Sequence, residues 1–315
     1  MIKPTLKLAP IGVSTYGRLD HLKQTIKALS LNTLAKESEL FIFSDAPRPG
    51  DEAKVEAVRS YLRSINGFKK ISLIERKTNS RVKNNRGGMR QLLDEYGKLI
   101  WLEEDIVTAP GFLRFMNDAL DFYGEHTDVL SICGYTPPLD VSNRADVFVL
   151  PRFCAWGFGI TENKFNRIKS IPTADLKKID QNRISRFGDD IYSMVCKEAN
   201  GQIAALDARA MYAQYLDGSF TVYPRESLAQ NIGHDGTGIH CGNSDKFHHK
   251  TLWLKQDEFE FITNLSLDKN IVSANAQFRH KKKKFTKKLK KAIGYYYLRE
   301  QLGTFTRNCL AKKAS

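Results

Sequence analysis

Three acids in a row, Glu103-Glu104-Asp105, close the apolar run Leu99-Ile100-Trp101-Leu102. Carboxylates this close repel one another unless a cation lies between them. Hard oxygen ligands suit Mg2+ or Mn2+, whose octahedral shells are often completed by substrate phosphates and water. Read alone, the triplet also describes a solvated acidic turn. A second signal is Ser14-Thr15-Tyr16-Gly17-Arg18, which ends one apolar run and opens onto a helical pattern. An arginine beside a helix N-terminus favours phosphate, although this is neither a P-loop nor G-x-G-x-x-G and Arg18 fits a surface position as well. Asp45 ends another apolar run and can accept hydrogen bonds from a base or a ribose; it is also a common turn residue before Pro47. Phe187-Gly188-Asp189-Asp190 opens a helical pattern, where one aspartate suits the N-cap and the other is left for general-base work. Residues 231–242 hold four glycines with His234, Asp235 and His240, a composition that builds a loop able to close over a phosphate or a metal, not a core.

The elements that must position these residues follow from periodicity. Strands are predicted at 10–15, 40–45, 70–75, 99–102 and 129–133, with helices over 19–31, 52–65, about 88–96 and 112–123 between them. Strands alternating with helices imply right-handed crossovers and a largely parallel sheet. The strands are continuously apolar, so helices cover both faces. In such sheets ligands bind at the carboxyl ends of the strands, where Arg18, Asp45 and the acid triplet all fall. After Tyr135 the rhythm changes: a strand at 147–151, an aromatic glycine-rich loop over 154–159, helical stretches near 162–169, 173–181 and 189–200, and a strand at 220–223.

The chain has 315 residues, 42% hydrophobic and 27% charged, enough for a sizeable core and unlike a disordered protein. No apolar run approaches the length of a membrane span, and the first residues lack a continuous apolar stretch of the secretory kind. Five scattered cysteines without a C-x-x-C fit free thiols better than a disulfide framework or a zinc site. The net charge is +14, but residues 279–315 carry thirteen Lys or Arg and one acid, so +12 of it is local. The nearly neutral remainder and the absence of a nucleic-acid-binding motif argue against specific nucleic-acid recognition.

Taken in this order, the pieces resemble nucleotide-sugar-dependent glycosyltransferases of the GT-A fold. The nearest patterns are the inverting N-acetylglucosaminyltransferase I type and bacterial family 2 enzymes, matched in pieces over about residues 10–242. Glu103-Glu104-Asp105-Ile106-Val107-Thr108-Ala109-Pro110-Gly111-Phe112 carries most of the likeness. The resemblance implies an α/β, Rossmann-like GT-A domain over residues 1–268, with a mainly parallel sheet flanked by helices. Its nucleotide-binding half runs to about 135, its acceptor half from about 136, and a basic helical tail occupies 269–315. It also implies that Arg18, with Thr15 and Tyr16, meets the donor diphosphate, that Asp45 contacts the uracil, and that Asn84 or Asn85 helps hold the nucleotide. Asp105 becomes the ligand of a Mn2+ or Mg2+ cofactor, and Glu103 and Glu104 lie near the ribose or sugar. Trp156-Gly157-Phe158 forms a loop at the donor sugar and the acceptor, and Asp190 is the base. The glycine loop closes on the donor through His234, and His234 or His240 is a possible second metal ligand. The implied reaction moves a hexosyl or N-acetylhexosaminyl group from a UDP-sugar to a hydroxyl of a glycan or lipid-linked saccharide, with inversion, as in polysaccharide or lipopolysaccharide biosynthesis. Phe285, Leu289, Ala292, Ile293 and Tyr296 or Tyr297 recur at helical spacing among lysines, which suits an anionic membrane surface. The expected location is cytoplasmic, peripheral on the inner face of the membrane. A nucleotidyltransferase or a non-catalytic sugar-nucleotide-binding protein are the alternatives.

Overall fold

The structure, a computed structural model, describes residues 7–139, 141, 145–237 and 244–279. The basic segment 280–315, with its expected amphipathic helix and membrane contact, lies outside the described residues, as do His240 and the end of the glycine loop. No helix among the described residues is long and apolar enough to cross a membrane.

Strands β1 (Ile11–Thr15), β2 (Glu39–Ser44), β3 (Lys70–Glu75) and β4 (Lys98–Glu103) run parallel in the order β3-β2-β1-β4. Helices α1 (Leu19–Ser30), α2 (Glu52–Leu62) and α3 (Arg81–Tyr96) make the crossovers. A short strand β5 (Ile106–Thr108) leads into α4 (Phe112–Tyr123) and β6 (Val129–Cys133). The second half of the chain then adds β7 (Val147–Leu150), β8 (Phe158–Thr161), α5 (Glu162–Phe165), α6 (Gln181–Ser185), α7 (Asp190–Ala199), α8 (Leu206–Asp217), β9 (Phe220–Pro224), β10 (Ala229–Asn231) and α9 (Lys269–Arg279). The large sheet is ordered β3-β2-β1-β4-β8-β6-β9-β7. Strand β8 runs antiparallel between β4 and β6, and β7 is antiparallel to β9. This mixed, largely parallel α/β sheet is consistent with the GT-A fold implied by the motif order.

The two faces of the sheet are buried by different helices. Leu22, Ile26 and Leu29 of α1, Val58 and Leu62 of α2, and Phe112, Phe115 and Met116 of α4 cover one face. Met89, Leu92 and Leu93 of α3, Val195 of α7, and Ala210 and Met211 of α8 cover the other. Trp101, two residues before the acids, is almost wholly buried and stacks on Phe43 at 5.4 Å. Gly12 and Gly88 make room for its indole: a Cβ at Gly88 would stand 2.8 Å from Trp101 Cη2, and one at Gly12 would overlap the ring. The end of β4 is thereby fixed against both β1 and α3.

Several elements depart from the sequence expectation, among them the short strands β5 and β10, which were not expected. Helix α3 starts seven residues earlier than about 88, capped by Ser80 Oγ, which accepts from Lys83 N–H at 3.3 Å. Its polar first half, Arg81-Val82-Lys83-Asn84-Asn85-Arg86, hides the apolar period. The glycine-rich loop expected over 154–159 ends in strand β8. Helix α8 was not anticipated because Ala208, Ala210, Met211, Tyr212 and Ala213 bury nearly every side of it, leaving no amphipathic stripe. Helix α9 buries Ile271, Val272 and Asn275, and Asn275 Nδ2 donates to the Phe187 carbonyl at 3.0 Å. The packed domain therefore continues to Arg279 instead of ending at 268.

Candidate active site

Three strand ends line up to make the floor of the crevice. Ser14 pairs with Glu103 and Thr15 with Ser44, so the residues after β1, β2 and β4 emerge side by side. The turn Glu104-Asp105 follows β4 and is braced by α1, where Thr25 Oγ1 donates to the Glu104 carbonyl at 2.8 Å. Arg18, just ahead of α1, folds onto this turn. Its Nε donates to Glu104 at 2.9 Å and its Nη2 to Asp105 Oδ2 at 2.7 Å. Burial works against the Arg18 charge, but Glu104 and Asp105 outweigh it and hold the guanidinium protonated.

The glycine-rich loop is delivered to the same point by a small antiparallel ribbon. Strand β10 pairs with β5, matching Asn231 to Ile106, and Ile232 N–H donates to the Asp105 carbonyl at 2.9 Å. Gly233 then passes so close to the acid turn that a Cβ there would overlap Asp105 Oδ2 and stand 2.9 Å from Arg18 Nη1. His21 of α1 anchors the loop's outer part, its Nε2 lying 3.1 Å from Asp235 Oδ2. His234 is brought beside Asp105, and burial pulls its imidazole below the usual histidine range while Asp105 pulls the other way. It is therefore neutral at pH 7.

Four buried polar atoms in this corner have no hydrogen-bond partner: Thr15 Oγ1, Arg18 Nη1, Asp105 Oδ1 and His234 Nε2. Buried polar groups in proteins are nearly always satisfied, so orphans gathered in one place mark where a ligand belongs. One free carboxylate oxygen and one free imidazole nitrogen suit a divalent cation. Among the described residues no group of three or more His, Cys, Asp or Glu could hold a metal alone, so substrate oxygens must complete the shell. The residues present fit such an ion.

Glu103 lies on the other side of β4's end, with Asn85 Nδ2 at 3.5 Å. Burial, and then the charges of Asp105, Glu104 and Asp207, push its carboxyl up to about 8. It is mostly protonated at pH 7 and can donate a hydrogen bond. Burial likewise raises Glu104, against the pull of Arg18.

The remaining residues expected at the donor are placed differently. Asp45 is buried and accepts from Ala46 N–H at 2.9 Å, Ser80 N–H at 3.0 Å and Asn79 Nδ2 at 3.2 Å, which fixes the β2 end to the start of α3. A carboxylate has room for a further donor. Asn84 is turned inward: its Nδ2 donates to the Phe43 carbonyl at 2.8 Å and its Oδ1 accepts from Arg76 Nε at 3.1 Å. It braces β2, and Asn85 is the residue of this pair that reaches the crevice. Tyr16 hydroxyl donates to Asp51 at 2.8 Å and accepts from Arg48 N–H at 2.9 Å, closing the rim above the β1 end.

Asp190 begins α7, opposite the acid turn. Arg152, buried after β7, grips it with two bonds of 3.1 and 2.6 Å. Burial alone would raise the Asp190 carboxyl, but Arg152 and the charge of Arg279 outweigh it and hold Asp190 below the usual range. Gly188, at φ 149°, keeps this turn clear: a Cβ there would stand 2.6 Å from Asp190 Oδ1. Asp207, at the start of α8, completes the cluster. Burial pushes its carboxyl up to about 6, against the pull of Arg152 and Arg279. Between the two clusters stands Trp156, edge-on to Tyr135 at 4.6 Å, to His234 at 5.2 Å and to Phe247 at 5.4 Å. Gly157, at φ 72°, lies on Phe112, and its carbonyl accepts from Gly134 N–H at 2.7 Å. Sequence reasoning missed Arg152, Asp207, Phe247 and Arg279. Each arrives from a distant segment with no motif around it.

No protein-family model matches the chain, and no curated protein matches it. Similar solved structures include S. aureus TarS 1-349, 17% identical with a TM-score of 0.41, over 70% of this chain and 59% of that one. TarS 1-349 has also been solved with UDP-GlcNAc. Another is GalNAc-T7 with UDP, GalNAc and Mn2+, 10% identical with a TM-score of 0.43, over 71% of this chain and 43% of that one. A third is mouse xyloside xylosyltransferase 1, 9% identical with a TM-score of 0.35, over 65% of this chain and 80% of that one. This chain covers 36% of the longer TarS chain. At these scores the likenesses add nothing to the site assignment. None of the three is of the N-acetylglucosaminyltransferase I type, and that narrower resemblance gains no support from them.

Proposed function

We propose that this protein is a glycosyltransferase that moves a sugar from a UDP-sugar to a hydroxyl group, with a divalent cation and with inversion at the anomeric carbon. The observation that carries the reading is the gathering of unpartnered Asp105 Oδ1, His234 Nε2 and Arg18 Nη1 at the carboxyl ends of β1 and β4. Such a corner would hold a divalent ion beside a diphosphate, the part of a nucleotide-sugar that gathers charge as the glycosidic bond breaks.

Asp105 Oδ1 and His234 Nε2 would hold Mn2+ or Mg2+. When bound, the ion offsets negative charge on the departing diphosphate. Arg18 holds Asp105 in place through its Nη2 bond to Oδ2, and its free Nη1 donates to a phosphate oxygen, a fixed dipole aimed at developing charge. Protonated Glu103 donates to a hydroxyl of the donor. Asp45 offers a carboxylate edge to the base. Trp156 supplies an apolar face for a sugar ring between the two clusters. Asp190, kept ionised and oriented by Arg152, takes the proton of the acceptor hydroxyl as the oxygen attacks. Attack opposite the leaving diphosphate inverts the anomeric carbon. Closure of the loop through Gly233 and His234 excludes water and limits hydrolysis. The hexosyl or N-acetylhexosaminyl identity, the glycan or lipid-linked acceptor and a peripheral membrane site through the basic tail belong to the same proposal.

A thermal-shift panel of UDP-, GDP- and dTDP-sugars with and without Mn2+ tests it, followed by product analysis with the best donor. Mn2+-dependent stabilisation by UDP-sugars and release of UDP support the reading. Release of pyrophosphate, or stabilisation by no nucleotide-sugar, refutes it.

A further inference from the structure

Beyond Asp190, the acceptor side holds more positive charge than the transfer needs. Arg152 is committed to Asp190, and its own carbonyl accepts from the Tyr223 hydroxyl. Arg279, at the end of α9, is not committed. Its Nε is buried without a hydrogen-bond partner, and among the described residues the guanidinium makes no ion pair. Ring faces lie against it, its Cζ 5.6 Å from the Phe247 centroid and 5.8 Å from that of Phe278, and the charge of Asp190 reaches it without a direct bond. Lys246 Nζ stands over the same rings, 5.6 Å from Phe247 and 4.8 Å from Phe278. Phe247 in turn packs edge-on to Trp156 at 5.4 Å. The two cations therefore sit on one aromatic wall that runs from the donor corner toward Asp190. A Cβ at Gly188, two residues before Asp190, would lie 3.4 Å from Arg279 Cβ, which puts Arg279 against that turn.

Three cations, Arg152, Arg279 and Lys246, face two acids, Asp190 and Asp207. Burial and the neighbouring Arg152 charge oppose the charged form of Arg279, and burial with Arg279 opposes that of Lys246; Asp190 favours both but does not outweigh these effects. Ring faces offset part of this cost, but they supply no acceptor for the guanidinium N–H groups. A neutral saccharide offers only weak acceptors. A planar or tetrahedral anion offers the charge and the lone pairs together.

We propose that the acceptor of this transferase carries an anionic group, a phosphate or a carboxylate, close to the hydroxyl that is glycosylated, and that Arg279 and Lys246 bind it. The inference rests on the acceptor-side reading of Asp190 given above. It assigns α9, outside the expected catalytic domain, to acceptor recognition.

The test uses the full chain with UDP and Mg2+ at saturation, so that the donor corner is filled. Intrinsic tryptophan fluorescence, to which Trp156 contributes beside Trp101 and Trp253, is titrated with glycerol 3-phosphate and with glucuronate, and with glycerol and glucose as neutral counterparts. The same titrations are run on Arg279→Gln and Lys246→Gln, whose folding is checked by circular dichroism and Tm. At least one anion should bind in preference to its neutral counterpart. Its affinity should fall about tenfold or more in Arg279→Gln, the loss of a charge-assisted hydrogen bond, while UDP affinity changes less than about twofold. Binding of the phosphate alone identifies a phosphorylated acceptor, and binding of the uronate alone an acidic sugar. The inference is overturned if neither anion binds, if the neutral probes bind as well, or if Arg279→Gln leaves anion affinity unchanged. It is also overturned if UDP affinity falls with Arg279, because the cations would then serve the donor. Failure of wild-type protein to bind UDP refutes the UDP-sugar reading separately, and the anion titrations are then repeated without nucleotide, where a preference lost in Arg279→Gln still supports the inference.

Discussion

Replacing Gly233 by alanine probes how closely the glycine loop must approach the acid turn. The added Cβ would stand 3.0 Å from the Asp105 carboxyl carbon and 2.9 Å from Arg18 Nη1, and it would overlap Asp105 Oδ2. Ordinary contact begins near 3.4 Å, so the carboxyl carbon alone must retreat by about 0.4 Å and Oδ2 by more. The chain around it cannot follow, because Ile232 N–H is bonded to the Asp105 carbonyl and Gly233 N–H to Asn231 Oδ1 at 2.7 Å. The substitution therefore lengthens the 2.7 Å Arg18–Asp105 bond or lifts His234 away from Asp105. Displacements approaching 1 Å in a positioned site cost on the order of 100-fold, and overpacking costs about 1–3 kcal/mol of stability. UDP affinity in the presence of Mn2+, measured by calorimetry, should fall between about tenfold and 100-fold. Circular dichroism should remain that of the folded protein. UDP affinity within about twofold of wild type, with the fold intact, would refute the assignment of this corner to the diphosphate.

Three further expectations concern the frame and its charges. Gly88→Ala places a Cβ 2.8 Å from Trp101 and 3.0 Å from Phe43, and should cost about 1–3 kcal/mol in urea unfolding; Gly87→Ala, whose Cβ meets nothing closer than Arg76 Nη2 at 3.8 Å, should gain up to about 1 kcal/mol from helix propensity. Because the folded-state carboxyl of Asp190 is depressed by Arg152, its contribution is present above the unfolded value near 4 and is lost as the pH falls through the depressed value. Asp190→Asn should therefore be less stable than wild type at pH 6, by about 1–3 kcal/mol, with the gap closing toward pH 2; a gap independent of pH contradicts the pair. Glu103 is raised to about 8, so without metal it costs stability progressively as the pH rises from its unfolded value near 4 to about 8. Glu103→Gln should match wild type below its unfolded value near 4, gain on it as the pH rises to about 8, and hold a constant lead above that.

The first half of the chain was legible because its strands are buried on both faces. Ile11–Thr15 and Leu40–Ser44 are continuously buried, and such runs bounded by helical periods read clearly. Arg18, Asp105 and Asp190 could be singled out as candidates because topology alone puts such strand and helix ends near the carboxyl edge of the sheet. Asp45 and Asn84 look the same in sequence, yet their side chains hold the β2–α3 corner together, and only the location of Asn79, Ser80 and Arg76 reveals it. Strand β8 was hidden by Gly157 and Gly159 and by its antiparallel insertion between β4 and β6, which no local pattern announces. Arg152, Asp207 and Arg279 come from the end of β7, the start of α8 and the end of α9. Their meeting is a product of tertiary packing, and no spacing encodes it.

Mn2+ binding followed by electron paramagnetic resonance, with and without UDP, tests the central claim most directly. The account predicts one Mn2+ per chain in the presence of UDP, with magnetic coupling both to the phosphorus nuclei of the nucleotide and to a histidine nitrogen. Asp105→Asn should abolish the bound signal, and His234→Ala should remove the nitrogen coupling. Absence of UDP-dependent Mn2+ binding, or a bound signal that survives both substitutions unchanged, would contradict it.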